Sequence, residues 1–385
     1  MKAQLFDVIA REKSVPLNIV DVDDLKLSEM GFVDARVILD NPNITLYCLD
    51  PNNQQAVFVE VPEVAKIFNA PFYYVSQYEN ATQVLKVSYE TLEQLADQIV
   101  FADQRMILIY SMGRSGTTLT SSAFNQAADV VSLSEPDIFT QLTQMREFSD
   151  NNDPEIGKLV RSCLLLTCKN RVNGSQPVWA LKFRSFVIEI ADLIYAHFPK
   201  AKSLFLYRRA EPWGKSNARA FGGGDYPTQE LVSFFWTWTK PMVRKIDRYS
   251  ITGLEEISLG LLISLLWLNF MDRCLERLDA GQPMLPTRYE DLKANPEVVI
   301  GRIFDYCEVY ASDKKNLLEV LNKDSQAETP ISRDQLRQLD WELDPGDIAV
   351  INRVITEHPI INTPDYLLPG TLKLNKNVDE STLCN

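Results

Sequence analysis

From Met106 to Tyr110 every position is apolar, and the polar run Ser111–Thr118 (SMGRSGTT) follows without a gap. An apolar run with no polar alternation marks a strand buried on both faces, as in a parallel sheet. A helical pattern begins near Thr117, so the stretch reads as strand, glycine-containing turn and helix. Similar short apolar runs recur at Val130–Leu133, Val178–Phe183, Ser203–Tyr207 and Met284–Tyr289. Between and after them, helical patterns cover Pro154–Arg171, Phe186–Phe198, Pro212–Ala220, Gln229–Arg248 and Glu255–Leu278. Further helices fill most of Asn295–Tyr310, Asp313–Lys323 and Pro345–Glu357. Short strands alternating with helices predict an α/β fold with a mostly parallel sheet flanked by helices.

The first hundred residues have a different texture. Ile44–Asp50 and Gln55–Val61 are strand-like and separated by Pro51-Asn52-Asn53-Gln54, a hairpin signal. Pro71–Tyr78 and Val84–Tyr89 add aromatic and β-branched runs, and Glu90–Val100 reads as a helix. No catalytic signature and no internal repeat is visible here. The expected organisation is a small α+β extension over 1–100 and a catalytic domain over 101–385. The extension is expected to pack on that domain or cover its substrate cleft.

Composition narrows the function classes. A chain of 385 residues, 45% hydrophobic, can bury a large core. Its net charge of −13 and pI near 4.8 argue against nucleic acid as a general partner. Cys48, Cys163, Cys168, Cys274, Cys307 and Cys384 form no C-x-x-C pair, and His197 and His358 are the only histidines, so no histidine-rich metal site is expected. The opening MKAQLFDVIAREKS lacks the apolar core of a signal peptide. Ile257–Met271 is uncharged for too short a stretch to be an ordinary membrane span and reads as a buried helix. These features predict a soluble, cytoplasmic protein without a membrane span, in which the sequons at Asn43, Asn80 and Asn173 are incidental.

Ligands of parallel α/β sheets sit beyond the C-terminal ends of the strands. The residues at those ends are the loop after Tyr110, Glu135, Lys182 with Arg184, and Arg208 with Arg209. The loop has the makings of an anion site, because backbone N–H groups converge there with the positive end of a helix dipole. Gly113 and Gly116 permit the turn and close approach of a ligand, Arg114 adds a fixed charge, and Ser115, Thr117 and Thr118 add hydroxyls. It is not the nucleotide-triphosphatase motif G-x-x-x-x-G-K-[ST], whose first glycine and lysine would fall on Ser111 and Thr117. No strand ends in an aspartate suited to Mg²⁺, and the site reads as cationic and metal-free.

The run GRSGTTL resembles the 5′-phosphosulfate loop of sulfotransferases that use 3′-phosphoadenosine 5′-phosphosulfate (PAPS), in the arginine form of the bacterial and protein-tyrosine branches. Leu204–Ser216, LFLYRRAEPWGKS, resembles that family's 3′-phosphate site, with Arg208 and Ser216 at the matching positions and Lys215 and Arg219 as further cations. Arg209-Ala210 stands where the family usually has Asp-Pro, so either Arg208 or Arg209 could make the contact. Arg288-Tyr289-Glu290-Asp291-Leu292, followed by Asn295-Pro296, resembles a third family segment, in which Arg288 could face the nucleotide. The three matches together span Met106 to Tyr310.

The resemblance implies a P-loop-like anion site, PAPS as sulfuryl donor, its bisphosphate (PAP) as product, and a hydroxyl-bearing acceptor, alcohol or phenol. Arg114 would hold the 5′-phosphate and sulfonate, and Lys182 the leaving-group oxygen. Aryl and steroid enzymes place a histidine two residues after the strand lysine, but Arg184 stands there in this chain. The protein-tyrosine branch uses a glutamate at the end of the second strand, a position Glu135 matches; the other reading of Glu135 is a helix-start carboxylate before Pro136. Phe234–Trp238 could line an acceptor pocket or be core, Gly222–Gly224 could hinge a lid or be a plain loop, and Ser332 or Arg333 could close over the cofactor. Two other functions stay open: an ATP-dependent kinase on the same sheet, and a non-catalytic nucleotide-binding scaffold.

Overall fold

Two sheets organise the chain in this computed structural model, which describes residues 1–13, 15, 18–169, 174–222, 225–243, 257–322 and 341–374. The first is antiparallel, in the order β2-β1-β5-β4-β3, built from β1 (Lys2–Arg11), β2 (Leu25–Asp34), β3 (Ile44–Asp50), β4 (Gln55–Glu60) and β5 (Gln83–Ser88). The second runs β10-β9-β6-β8-β7, from β6 (Met106–Ser111), β7 (Val130–Ser134), β8 (Val178–Lys182), β9 (Lys202–Tyr207) and β10 (Leu285–Arg288). β7 with β8 and β9 with β10 are parallel pairs. Every residue of β6 is buried, as its uninterrupted apolar run predicts.

The chain divides into two compact units: Met1–Leu108 with Ala128–Lys202, and Ile109–Ala127 with Ser203–Asn385. In the first unit the expected hairpin is present as β3 and β4, in register from Ile44 opposite Glu60 to Asp50 opposite Gln55. β1 and β2 are strands that the hydrophobic pattern does not announce; most of their residues are half-buried or exposed. Pro71–Tyr78, strand-like in composition, instead supplies the helix Tyr73–Asn80, which buries Tyr73, Tyr74 and Gln77.

Residues before and after the first hundred interlock in this unit. Gln141, on the helix Ile138–Met145, donates from Nε2 to the Leu49 carbonyl and accepts from the Leu49 N–H, both at 2.7 Å. The side-chain amide thereby gives β3, the terminal strand of its sheet, bonds a neighbouring strand would make. Arg146 reaches Asp153, Asp192 and the Glu189 carbonyl with bonds of 2.6–2.9 Å, tying together the segments that flank β8.

The second unit is built on the helix Leu259–Asp279, whose Leu265, Trp267, Met271 and Cys274 are wholly buried. Ser258 caps it by accepting from the Leu261 N–H. The C-terminal segment covers β10, where the Leu372 N–H donates to the Pro286 carbonyl at 2.9 Å. The helix predicted over Gln229–Arg248 spans Gln229–Thr239 and passes at Pro241 into one 3₁₀ turn, with 244–256 outside the described residues. Cys48, Cys163, Cys168, Cys274 and Cys307 are buried and in no disulfide, and Cys384 lies outside the described residues. No helix among the described residues is long and apolar enough to cross a membrane.

Candidate functional site

The loop after β6 is made by backbone geometry that few sequences tolerate. Gly113, Arg114 and Gly116 have φ of +72°, +49° and +85°, all in the left-handed region. Arg114 is not a glycine, so its conformation is held by its surroundings rather than by intrinsic preference. Gly116 is required twice: its φ suits glycine, and a Cβ there would lie 2.7 Å from Leu292 Cδ2. Its lack of a side chain therefore serves the packing of the Tyr289–Ala294 helix, whatever ligand approaches. Gly116 is also the N-cap of the helix Thr117–Phe124, and no side chain caps that end. First-turn N–H groups without a side-chain cap are what an anion satisfies.

The loop hydroxyls differ in setting. Ser115 is wholly buried and its Oγ donates to the Leu206 carbonyl at 3.0 Å, stitching the loop to β9. Thr117 is buried and Thr118 half-buried, in the first helical turn. Trp213, which sequence reasoning passed over, donates from Nε1 to the carbonyls of Met112 and Gly113 at 3.0 and 3.1 Å. It clamps the loop from the helix Ala210–Phe221.

That helix also carries Ser216, whose Oγ accepts a 3.2 Å bond from Arg114 Nε. The two motifs that resemble the 5′- and 3′-phosphate sites thus touch each other within one unit. Arg208 and Arg209 differ in setting. Arg208 lies 4.6 Å over the Tyr289 ring, its Nη1 reaches the Arg114 carbonyl at 3.4 Å, and its own carbonyl accepts from Trp267 Nε1 at 2.8 Å. Burial holds its pKa below the ordinary guanidinium value, against the pull of Tyr289 and Glu290. Arg209 is twice as exposed, 41% against 20%, and faces Glu290 and Asp365 at 3.6 Å each. Glu290 also meets Arg288 Nε at 3.3 Å, so this carboxylate serves three arginines. Lys215 pairs with Glu342, and Arg219 donates to the Trp341 carbonyl at 2.5 Å.

The residues of this unit fit an anion such as a phosphate group. Arg208 Nε, 4.0 Å from Glu290, and Arg209 Nε are both buried without a hydrogen-bond partner among the described residues, and a phosphate oxygen could accept from either.

The first unit holds the other predicted residues. Register sets Ser134 opposite Lys182 at the ends of β7 and β8, and the Glu135 N–H donates to the Lys182 carbonyl at 2.6 Å. Glu135 has φ +63°, a second strained non-glycine at a strand end. Its Oε1 is ion-paired with Lys182 Nζ, and the two side chains are 14% and 5% exposed. Arg184 Nη1 donates to both oxygens of Asp137 at 3.2 and 3.1 Å. Burial opposes the Arg184 charge, but Asp137 foremost, with Glu135 contributing, holds its pKa above the ordinary value.

The histidines are used elsewhere. His358 faces Asp272, and His197, near Gly157, has its pKa lowered by burial and by Arg161. On the helix Gln229–Thr239 only Val232 and Thr239 are buried, and Phe234 is 61% exposed, so this aromatic run is not core. Gly223, Gly224, Ser332 and Arg333 lie outside the described residues.

No family model matches the sequence, and neither does any curated protein. Solved structures similar to the chain include sulfotransferase STF1 from Mycobacterium tuberculosis, at 14% identity and TM-score 0.34, covering 60% of this chain and 76% of that one. A sulfotransferase domain from the curacin biosynthetic pathway matches at 15% identity and TM-score 0.33, over 64% of this chain and 96% of the domain. A sulfotransferase domain from the Synechococcus olefin synthase matches at 17% and 0.31, over 66% and 95%. The likeness is distant, and the functional reading is carried by the residues.

Proposed function

We propose that this protein transfers a sulfuryl group from PAPS to the hydroxyl of an alcohol or phenol. The observation that carries the reading is the Arg114 Nε to Ser216 Oγ bond, which joins the two sulfotransferase-like anion motifs in one unit. The loop 113–118 and Arg114 would hold the 5′-phosphosulfate, and Arg208 with Ser216 the 3′-phosphate. Arg208 is preferred to Arg209 because it lies against the loop, whereas Arg209 is engaged by Glu290 and Asp365. The donor supplies an activated sulfuryl group and a bisphosphate leaving group.

The protein's own work is positioning and charge placement. Glu135 takes the acceptor's hydroxyl proton on a carboxylate oxygen. Lys182, its partner in the free protein, supplies positive charge for the departing oxygen. Glu135 is favoured as base because the histidines contact other residues and because its backbone is held in an unfavourable conformation at a strand end.

The test is ligand choice. PAP should raise the melting temperature in the absence of any metal, by about 2.7 kcal/mol of stabilisation at 100 times its Kd. Mg-ATP should do much less, and labelled PAPS should pass its sulfuryl group to members of an alcohol and phenol panel. Stabilisation by Mg-ATP equal to that by PAP would turn the assignment toward phosphoryl transfer.

A further inference from the structure

At the ends of β7 and β8 two carboxylates meet two cations, and only one of the two possible pairings is made. Lys182 is bound to Glu135 and Arg184 to Asp137. The four groups leave adjacent strand ends together: the register sets Ser134 opposite Lys182, with Glu135 and Asp137 following β7, and Arg184 following β8. Asp137 is placed to decide between the two pairings. Its side chain is wholly buried, both its oxygens accept from Arg184, and Oδ2 also accepts from the Val20 N–H at 3.0 Å.

The Arg184 guanidinium also lies over Tyr74, with 5.4 Å from its central carbon to the ring centre. The same ring lies 5.6 Å from the Lys13 ammonium, which Asp24 holds at 3.1 Å. The Ser134 hydroxyl donates to the Pro71 carbonyl at 2.7 Å, which fixes this stretch to the end of β7. Residues from the first hundred therefore build the setting of Glu135.

We propose that Asp137 is a positioning residue: it holds Arg184 away from Glu135, so that the base answers to one cation rather than two. A carboxylate gripped by a guanidinium as well as an ammonium is a poorer base and is fixed in the wrong direction. The proposal rests on the sulfuryl-transfer reading for the role of Glu135, but the pairing itself can be tested without it.

Asp137→Asn keeps the shape and cannot hold the charge of Arg184. A crystal structure of this variant should show the Arg184 guanidinium moved onto Glu135. With enzyme in excess and water as acceptor, release of labelled sulfate from PAPS should fall by roughly 10²-fold, the scale of a misplaced reacting group. Adding Arg184→Met should recover about tenfold, the scale of coupling between neighbouring charges. A role limited to anchoring Val20 predicts no recovery.

The melting shift with PAP should survive in every variant. Its absence in the unaltered protein would refute the sulfuryl-transfer reading, while the crystal structure would still decide the pairing. Should Asp137→Asn not fold, Arg184→Met is compared with the double variant, and the two should agree in turnover within about twofold. An Asp137→Asn structure with Lys182 and Arg184 in place, or a double variant slower than Arg184→Met alone, overturns the proposal.

Discussion

The anion loop and the Glu135 turn are both strand ends carrying a strained, charged residue, yet they are held by different means. Around Arg114 the constraints act on the backbone and are uncharged: glycines at 113 and 116, the Ser115 hydroxyl on β9, and the Trp213 indole on two loop carbonyls. Around Glu135 they are charged side chains and their supports: Lys182, and then Asp137, Arg184, Tyr74 and Val20. The first region is a backbone cradle in which arginines, Arg208 among them, have buried donors with no hydrogen-bond partner among the described residues. The second is a charge-balanced cluster in which each cation has its carboxylate. A cradle suits binding of a large anion, whereas a cluster that can exchange partners suits moving a proton and following a developing charge.

The comparison breaks most sharply at Glu135. Glu135→Gln keeps the size and cannot take a proton, so turnover should fall by about 10²–10⁴ while PAP affinity stays nearly unchanged. A low-pKa phenol should suffer less than an unactivated alcohol, because it needs less help to ionise. Near-normal turnover with the alcohol, where chemistry limits the rate, would leave Glu135 as a helix-start carboxylate only.

The next effect in size belongs to the cradle and should appear in binding. Arg208→Ala should weaken PAP by about 1.5–3 kcal/mol, the range for hydrogen bonds to charged groups. Arg209→Ala, which gives up partly exposed pairs with Glu290 and Asp365, should cost less than about 1 kcal/mol. Calorimetric titration of both variants separates them. The reverse order would move the 3′-phosphate contact to Arg209.

The two regions also differed in how far the sequence disclosed them. β6, its loop and the following helix are legible because an unbroken apolar run, glycines and a cation coincide within a dozen residues. Glu135, Lys182 and Arg184 are legible as strand ends, but their pairing is not, since it depends on register and on Asp137, which a backbone N–H 117 positions away also holds. Asp137 behind Pro136 reads locally as a helix-start acid, and nothing nearby announces its bond to Val20. Tyr74 was hidden by composition: an aromatic run favours a strand in isolation, whereas burial of Tyr73, Tyr74 and Gln77 on one helix decides the matter. Trp213 lay inside a motif already in view, where an indole in an amphipathic helix is ordinarily core.

The smallest expected effect is the one that best sharpens the contrast, because it lies where the two phosphate motifs meet. Ser216→Ala removes a neutral hydroxyl, so the loss in PAP affinity should be about 0.5–1.5 kcal/mol. If the serine served the 3′-phosphate alone, adenosine 5′-phosphosulfate, which lacks that group, would bind unchanged. Arg114 Nε donates to this same oxygen, however, and Arg114 holds a left-handed backbone that its surroundings must maintain. The 5′-ligand should therefore also weaken, by a smaller amount than PAP, as Arg114 loses the contact that orients it. Equal losses for the two ligands would mean that Ser216 acts only through Arg114 and makes no 3′-phosphate contact. An unchanged 5′-ligand would mean that the cradle holds Arg114 without help from the serine, and the two motifs would then be neighbours without being coupled.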